Sequence, residues 1–435
     1  MPSHDISFNM DHIKGEISTL AFGGQGLLRH ENLVIFVPFT APGDQVTCQI
    51  KERKKNFAHG EVVQYDQLSK LRITPKCPYF GTCGGCQLQH LDYPAQLEYK
   101  KLWVEEALQR IGHLSDVTVS PVVPSPKQWA YRRHITLSLR ANGNSFEAGY
   151  ITVDNQSLVS VMQCPIFVDD SNPIIKQVQG VIENLHCEKD NEGKVTLIKN
   201  SNGHYLLHFQ FKQMPKNALE KLTKAMDAYP HWSGVLVNSR KGSFSLGETI
   251  LEVQIEGLNF QYSPLAFIQN NGEQSLNIYQ MMRTLSKNSN VILDLYCGIG
   301  ISTLLLAGQE KKIVGIEGNP TAVELAKNNA KRHGFSKIRF IRADVKNVVK
   351  HWMKDLRPDL VLVNPPRTGL DQKVILDLLS ENPQEILYLS CMPSTLARDL
   401  QLLCKEKYKV SLCQPFDMFP QTGHIETLIH LKMNK

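Results

Sequence analysis

From residue 263 to residue 435, short apolar runs alternate with amphipathic stretches. Few folds satisfy that alternation other than a parallel sheet covered by helices on both faces. The run Val291-Ile-Leu-Asp-Leu-Tyr-Cys-Gly-Ile-Gly300 is an apolar strand entering a glycine turn, and Ile301-Ser-Thr-Leu-Leu-Leu-Ala opens a helix. Gly298 and Gly300 let a ligand approach the backbone closely. Lys312-Ile-Val-Gly-Ile-Glu317 is a second strand, and its terminal acid lies 17 residues beyond Gly300, where folds of this type hold a ribose diol. The third glycine of a dinucleotide fingerprint is absent, Thr303 standing in its place, and no other phosphate motif compensates. That pattern favours S-adenosylmethionine, whose adenosine has a ribose but no phosphate.

Three further strands end in polar residues. Lys337-Ile-Arg-Phe-Ile-Arg-Ala-Asp344 puts Asp344 where an adenine amino group can be contacted, and Asp359-Leu-Val-Leu-Val-Asn364 runs into Pro365-Pro366-Arg367. Glu385-Ile-Leu-Tyr-Leu-Ser390 is short, apolar and bounded by Pro383, and the residues from Ser394 onward have helical spacing. Cys391 falls between that strand and that helix. A thiol beside a helix amino terminus is expected to have a lowered pKa, which makes Cys391 the candidate nucleophile; a buried structural cysteine is the plainer alternative. Open α/β sheets bind ligands at strand carboxyl ends, so Glu317, Asp344, Asn364 and Cys391 are expected to share one crevice. A closing hairpin follows, Tyr408–Cys413 and Ile425–Leu431, with Glu426 at the start of its second strand. A glutamate there is ordinarily solvated, yet it lies near enough to the crevice to serve as a base.

Upstream, residues 15 to 65 alternate short strands and turns, which predicts a small antiparallel barrel; Lys51, Arg53, Lys54 and Lys55 give it a basic edge able to hold phosphates, or simply a solvated strand end. Residues 118 to 262 form a β-rich region with turns at Asn142-Gly143, Asn202-Gly203 and Lys241-Gly242. Within it Tyr131, Arg132, Arg133 and His134 offer stacking and phosphate contacts, or are an amphipathic strand. A net charge of +6 is compatible with a nucleic-acid partner. The opening MPSHDISFNMDH is polar and no apolar run approaches the length of a membrane span, so a cytoplasmic protein is expected. In a reducing compartment its ten cysteines are thiols or metal ligands rather than disulfides. Cys77, Cys83 and Cys86 lie in CPYFGTCGGCQLQH, and Cys164 is the candidate fourth ligand; the spacing suits an iron–sulfur cluster or a zinc ion.

The motifs FIQNN, DLYCGIG, GIEGNPTAVELAKNNA, NPPRTGL, LSCMPSTLARDL and DMFPQTGHIETL resemble those of the class I RNA (uracil-5-)-methyltransferases. The N-terminal segment resembles a TRAM domain, and the cysteine motif resembles the 4Fe-4S motif of the bacterial members. The resemblance implies a Rossmann-like α/β methyltransferase domain at 263–435, a TRAM/OB-like β-barrel at 1–66, and a β-rich central domain at 67–262 carrying the cluster. It implies that Gln269, Tyr296, Glu317 and Asn364 bind S-adenosylmethionine, that Cys391 is the nucleophile and Glu426 the base, and that the cluster shapes the substrate-binding region. The expected partner is RNA, 23S ribosomal RNA before transfer RNA, with no membrane and no obligate protein partner. Two residues depart from the commonest pattern: Asn364 replaces Asp and Met392 replaces Asn beside the nucleophile. An amino-group methyltransferase using Asn-Pro-Pro, or a non-catalytic RNA-binding relative, are the competing expectations.

Overall fold

The computed structural model describes residues 12–167, 170–308, 311–405 and 407–434; the polar opening before His12 lies outside them. Strands His12–Leu20, Gly26–His30, Leu33–Val37, Gln45–Arg53 and Phe57–Gln67 form a closed barrel. Alternation places Ile17, Leu28, Ile35, Val37, Val46 and Cys48 inside it. On the expected basic edge, Lys51 pairs with Glu61 at 2.9 Å and Lys54 with Glu52 at 2.6 Å, while Arg53 and Lys55 are exposed.

The central region is built on a seven-stranded mixed sheet running from Gly242–Gly247 at one edge to Leu158–Val159 at the other. Helices Asn172–Ile182 and Ala218–Ala228 contribute their apolar faces to its core.

The C-terminal sheet is also seven-stranded. From edge to edge its strands are Ile338–Arg342, Lys312–Glu317, Val291–Leu295, Leu360–Val363, Glu385–Ser390, Glu426–Met433 and Tyr408–Phe416. The first five are mutually parallel; Glu426–Met433 inserts antiparallel between Glu385–Ser390 and Tyr408–Phe416. This insertion carries the start of the last strand to the carboxyl end of its neighbour, with Thr427 opposite Ser390, and so brings Glu426 to Cys391.

Two elements from the span assigned to the central domain pack with this sheet instead. Val104 and Leu108 of helix Tyr93–Arg110 join the layer of Leu293, Val361 and Ile386, and the helix lies against Pro393–Cys404. The hairpin Leu251–Ile255/Leu258–Tyr262 joins the opposite layer through Leu251, Phe260 and Tyr262. Both bury apolar faces that sequence order alone gave no reason to assign there. Among the described residues no helix is long and apolar enough to cross a membrane.

Candidate active site

The turn after Val291–Leu295 needs backbone angles that most side chains avoid: φ is 63° at Tyr296, 54° at Gly298 and 84° at Gly300. The two glycines do different work. A Cβ on Gly300 would lie 2.9 Å from Phe340 Cζ, so this glycine seats the following helix against the sheet. A Cβ on Gly298 would meet nothing within 4 Å, so this backbone borders open space. Glu317 braces the turn: its carboxylate accepts from Gly298 N at 3.1 Å and Asn319 N at 2.8 Å.

Thr303, at the third-glycine position, donates to Asp294 at 2.6 Å, and Ser302 donates to the same oxygen at 2.9 Å. The other Asp294 oxygen is buried without a partner, and burial pushes this carboxyl up to about 7. Sequence reasoning passed over Asp294, although a lone acid inside an apolar strand is a visible signal.

Gln269 is buried, and its Oε1 has no hydrogen-bond partner. A buried carbonyl left this way is costly unless a ligand donor reaches it. Its neighbours are fixed: Asn270 exchanges hydrogen bonds with His134 at 3.0 Å, and Asn271 caps helix Gly272–Leu285. Asn364 is half-buried at the end of Leu360–Val363, its N–H donating to Leu295 O at 3.3 Å. Asp344 stands at the same sheet end, but its carboxylate is engaged in capping helix Val345–Leu356 through Lys346 N at 3.3 Å.

Cys391 follows Ser390 directly and precedes helix Pro393–Cys404. The expected lowering of its pKa is not what the surroundings produce. Burial pushes the thiol up to about 11, the Glu426 charge adds to this, and the Arg367 charge works the other way. Met392 gives the helix no side-chain cap; the Ser390 hydroxyl accepts from Met392 N at 3.2 Å, and Thr395 Oγ1 donates to Met392 O at 3.2 Å. Glu426 is not solvated but 5% exposed. Desolvation pushes its carboxyl up to about 8, opposed by Arg367. One guanidinium therefore acts on both the thiol and the carboxyl.

The approach to Glu426 is a loop, 417–424, held from far away in sequence. Lys100 and Asp417 form a fully buried pair at 2.6 Å, and Lys100 also donates to Phe419 O at 3.0 Å. Gln96 bonds the side chain and backbone of Gln421 at 3.0 Å each, and Tyr131 OH donates to Pro420 O at 3.0 Å. Gly423 packs on the barrel: a Cβ there would lie 2.6 Å from the Gly23 backbone.

Cys77, Cys83, Cys86 and Cys164 line one small cavity of about 50 Å³ together with Arg132 and Tyr150. Burial pushes the Cys83 thiol up to about 11 and Cys86 up to about 12. Arg132 Nε is buried without a partner. Among the described residues no three His, Cys, Asp or Glu side chains converge on a site for a metal ion. The cavity nevertheless gathers all four predicted cysteines around a cation, a donor set suited to an anionic group wider than a single ion. Arg132 therefore faces this cavity rather than a nucleic acid, while Tyr131 and Arg133 border an open cleft, Tyr131 with its hydroxyl already committed to Pro420.

A glycine turn braced by an acid and a thiol–carboxyl pair at the carboxyl ends of a parallel sheet define a nucleotide-cofactor transferase, here joined to a closed barrel. Residues 92–434 match the tRNA (uracil-5-)-methyltransferase family, and residues 16–63 match the TRAM domain. The chain belongs to that family and is an RNA methyltransferase. An uncharacterized RNA methyltransferase of Protochlamydia amoebophila is 48% identical over 425 residues, spanning 97% of both chains. One of Nostoc sp. is 34% identical over 448 residues, spanning 97% of this chain and 96% of the other. Among solved structures, a Pyrococcus abyssi tRNA (uracil-54, C5)-methyltransferase in complex with S-adenosyl-L-homocysteine is 26% identical. It covers 96% of this chain and 100% of its own, with a TM-score of 0.75.

Proposed function

We propose that the enzyme methylates C5 of a uridine in 23S ribosomal RNA through a covalent adduct between Cys391 and C6, in the cytoplasm. The observation carrying this reading is the convergence of Cys391, Glu426 and Arg367 at the sheet end that also holds Gly298, Glu317 and Asn364. S-adenosylmethionine, when bound, supplies an electrophilic methyl group on its sulfonium. Gln269, Tyr296, Glu317, Asp344 and Asn364 would hold it, and the partnerless Gln269 Oε1 and the open space beside Gly298 fit that role.

C5 of uracil is a poor nucleophile. The Cys391 thiolate adds to C6, the C5–C6 π electrons move onto the C5–C4–O4 system, and C5 becomes nucleophilic enough to take the methyl group. The methylated C5 still carries its hydrogen. Glu426 removes that proton in its ionised form, which the Arg367 charge favours, the electrons re-form the C5–C6 double bond, and the Cys391 thiolate leaves. Arg367 stabilises the thiolate before addition and after expulsion. The target base must first leave its stack to reach a half-buried thiol.

Cys77, Cys83, Cys86 and Cys164 would hold a 4Fe-4S cluster, with Arg132 balancing its negative charge. Cys86 acts electrostatically on Tyr131 and Lys100, which hold the loop before Glu426, so a cluster bound there would support that loop. The barrel together with the cysteine cavity favours 23S ribosomal RNA; the full-length likeness to the Pyrococcus enzyme favours transfer RNA as the second reading. An amino-group methyltransferase would leave Cys391 and Glu426 without a task. Covalent trapping separates these readings: S-adenosylmethionine with 5-fluorouridine-substituted 23S fragments or transfer RNA, run on a denaturing gel against Cys391→Ala. A shifted band with 23S fragments that is lost in Cys391→Ala is expected. A band with transfer RNA alone moves the target, and methylation that survives Cys391→Ala overturns the adduct.

A further inference from the structure

Arg132 and Arg133, just before strand His134–Asn142, line two different cavities. Arg132 points to the cysteine cavity, whereas Arg133 lines a cleft of about 370 Å³ between the central sheet, the hairpin 251–262 and the start of helix Gly272–Leu285. None of Tyr296, Glu317, Asn364 or Cys391 lines this cleft, so it is separate from the cofactor crevice. It is nonetheless close to the chemistry: Arg133 N donates to Asn270 O at 3.0 Å, and the Asn271 side chain donates to Met418 O at 3.3 Å in the loop before Glu426.

The charges in the cleft do not cancel. Glu273 is taken by Lys127 at 2.5 Å and Glu252 by Arg332 at 2.9 Å. Arg133 makes no side-chain hydrogen bond or ion pair among the described residues, although Tyr262, Tyr279 and Glu273 lie in its field. Its guanidinium packs against Gly272, where a Cβ would come within 2.0 Å of a guanidinium nitrogen. A positioned, largely desolvated fork with no acceptor of its own is a receptor for an oxyanion.

We propose that Arg133 and this cleft seat a backbone phosphate of the RNA substrate, anchoring the strand beside the active crevice. The proposal rests on the RNA-methyltransferase reading and adds a contact that fixes register without reading sequence. Because such a contact is sequence-independent, it is measured with a short oligouridylate in the presence of S-adenosylhomocysteine across a salt series. Arg133→Met should weaken RNA binding about tenfold and flatten the slope of log K against log salt by about 0.7, one phosphate's share for a single strand. Cofactor affinity by calorimetry should not change. Gly272→Ala, which keeps the charge but displaces the guanidinium, should weaken binding in the same direction, and it decides the matter where Arg133→Met does not fold. Wild-type affinity and slope in a folded variant overturn the proposal, as does a loss that falls on S-adenosylhomocysteine instead of RNA. Failure to form 5-methyluridine in the wild type would overturn the catalytic reading alone, since the binding assay does not depend on turnover.

Discussion

Replacing Glu426 by Gln should make the protein more stable at neutral pH while stopping the reaction halfway. Folded Glu426 holds its proton to about 8 against an ordinary value of 4.5. Between those values the folded state binds a proton that the unfolded chain has released, so this residue's contribution to stability falls as pH rises through that window. At about 1.4 kcal/mol per unit, the penalty is about 3 kcal/mol at pH 7 and under about 1 kcal/mol at pH 5. Gln fills nearly the same volume and never ionises, so it removes the penalty. The assay is urea denaturation of both proteins at pH 5 and pH 7, comparing the difference between them, because a chain of several domains does not give one absolute unfolding free energy. The variant should gain about 3 kcal/mol at pH 7 and little at pH 5. Turnover should drop by about 10²–10⁴, the usual worth of a general base. The adduct should accumulate on unsubstituted RNA, because nothing removes the C5 proton. A stability difference that is equal at both pH values, or turnover within tenfold of wild type, would refute the assignment of a buried, proton-holding base.

Arg367→Ala removes the one cation acting on both Cys391 and Glu426. Turnover at pH 7 should fall about tenfold or more, recovering in part at higher pH as both groups ionise, and an unchanged pH–rate profile would contradict this. Lys100→Met leaves Asp417 buried and uncompensated at a cost of about 3–5 kcal/mol. The double variant Lys100→Met/Asp417→Leu should regain most of that stability in the same denaturation assay. Cys83→Ala, purified anaerobically, should lose the broad visible absorption of an iron–sulfur centre and melt at lower temperature; retained absorption would remove Cys83 from the ligand set. Gly300→Ala meets Phe340 at 2.9 Å as well as a φ of 84° and should lower thermal stability more than Gly298→Ala, which meets no atom and carries only the strain of a φ of 54°; Gly298→Ala should in addition weaken S-adenosylmethionine binding by calorimetry.

The parts of this site legible in the sequence are those that one strand positions by itself. Glu317, Asn364 and Cys391 each follow an apolar run, and a parallel sheet delivers all such residues to one edge. What the sequence hid depends on pairs far apart in the chain. Lys100 meets Asp417 and Gln96 meets Gln421, and neither pair leaves a local pattern that would put helix Tyr93–Arg110 beside the loop before Glu426. Proton affinities were hidden for the same reason. A helix amino terminus argued for an acidic Cys391, but the thiol's state follows from desolvation and from Glu426, which arrives only because the last strand runs antiparallel beside Glu385–Ser390. The same insertion desolvates Glu426 and turns a glutamate at a strand start into a carboxyl that holds its proton past neutrality. Arg367 is then the cation that acts on both the thiol and the carboxyl. Its position after Asn-Pro-Pro was visible from the start, while its role needed the sheet order that places thiol, carboxyl and guanidinium together.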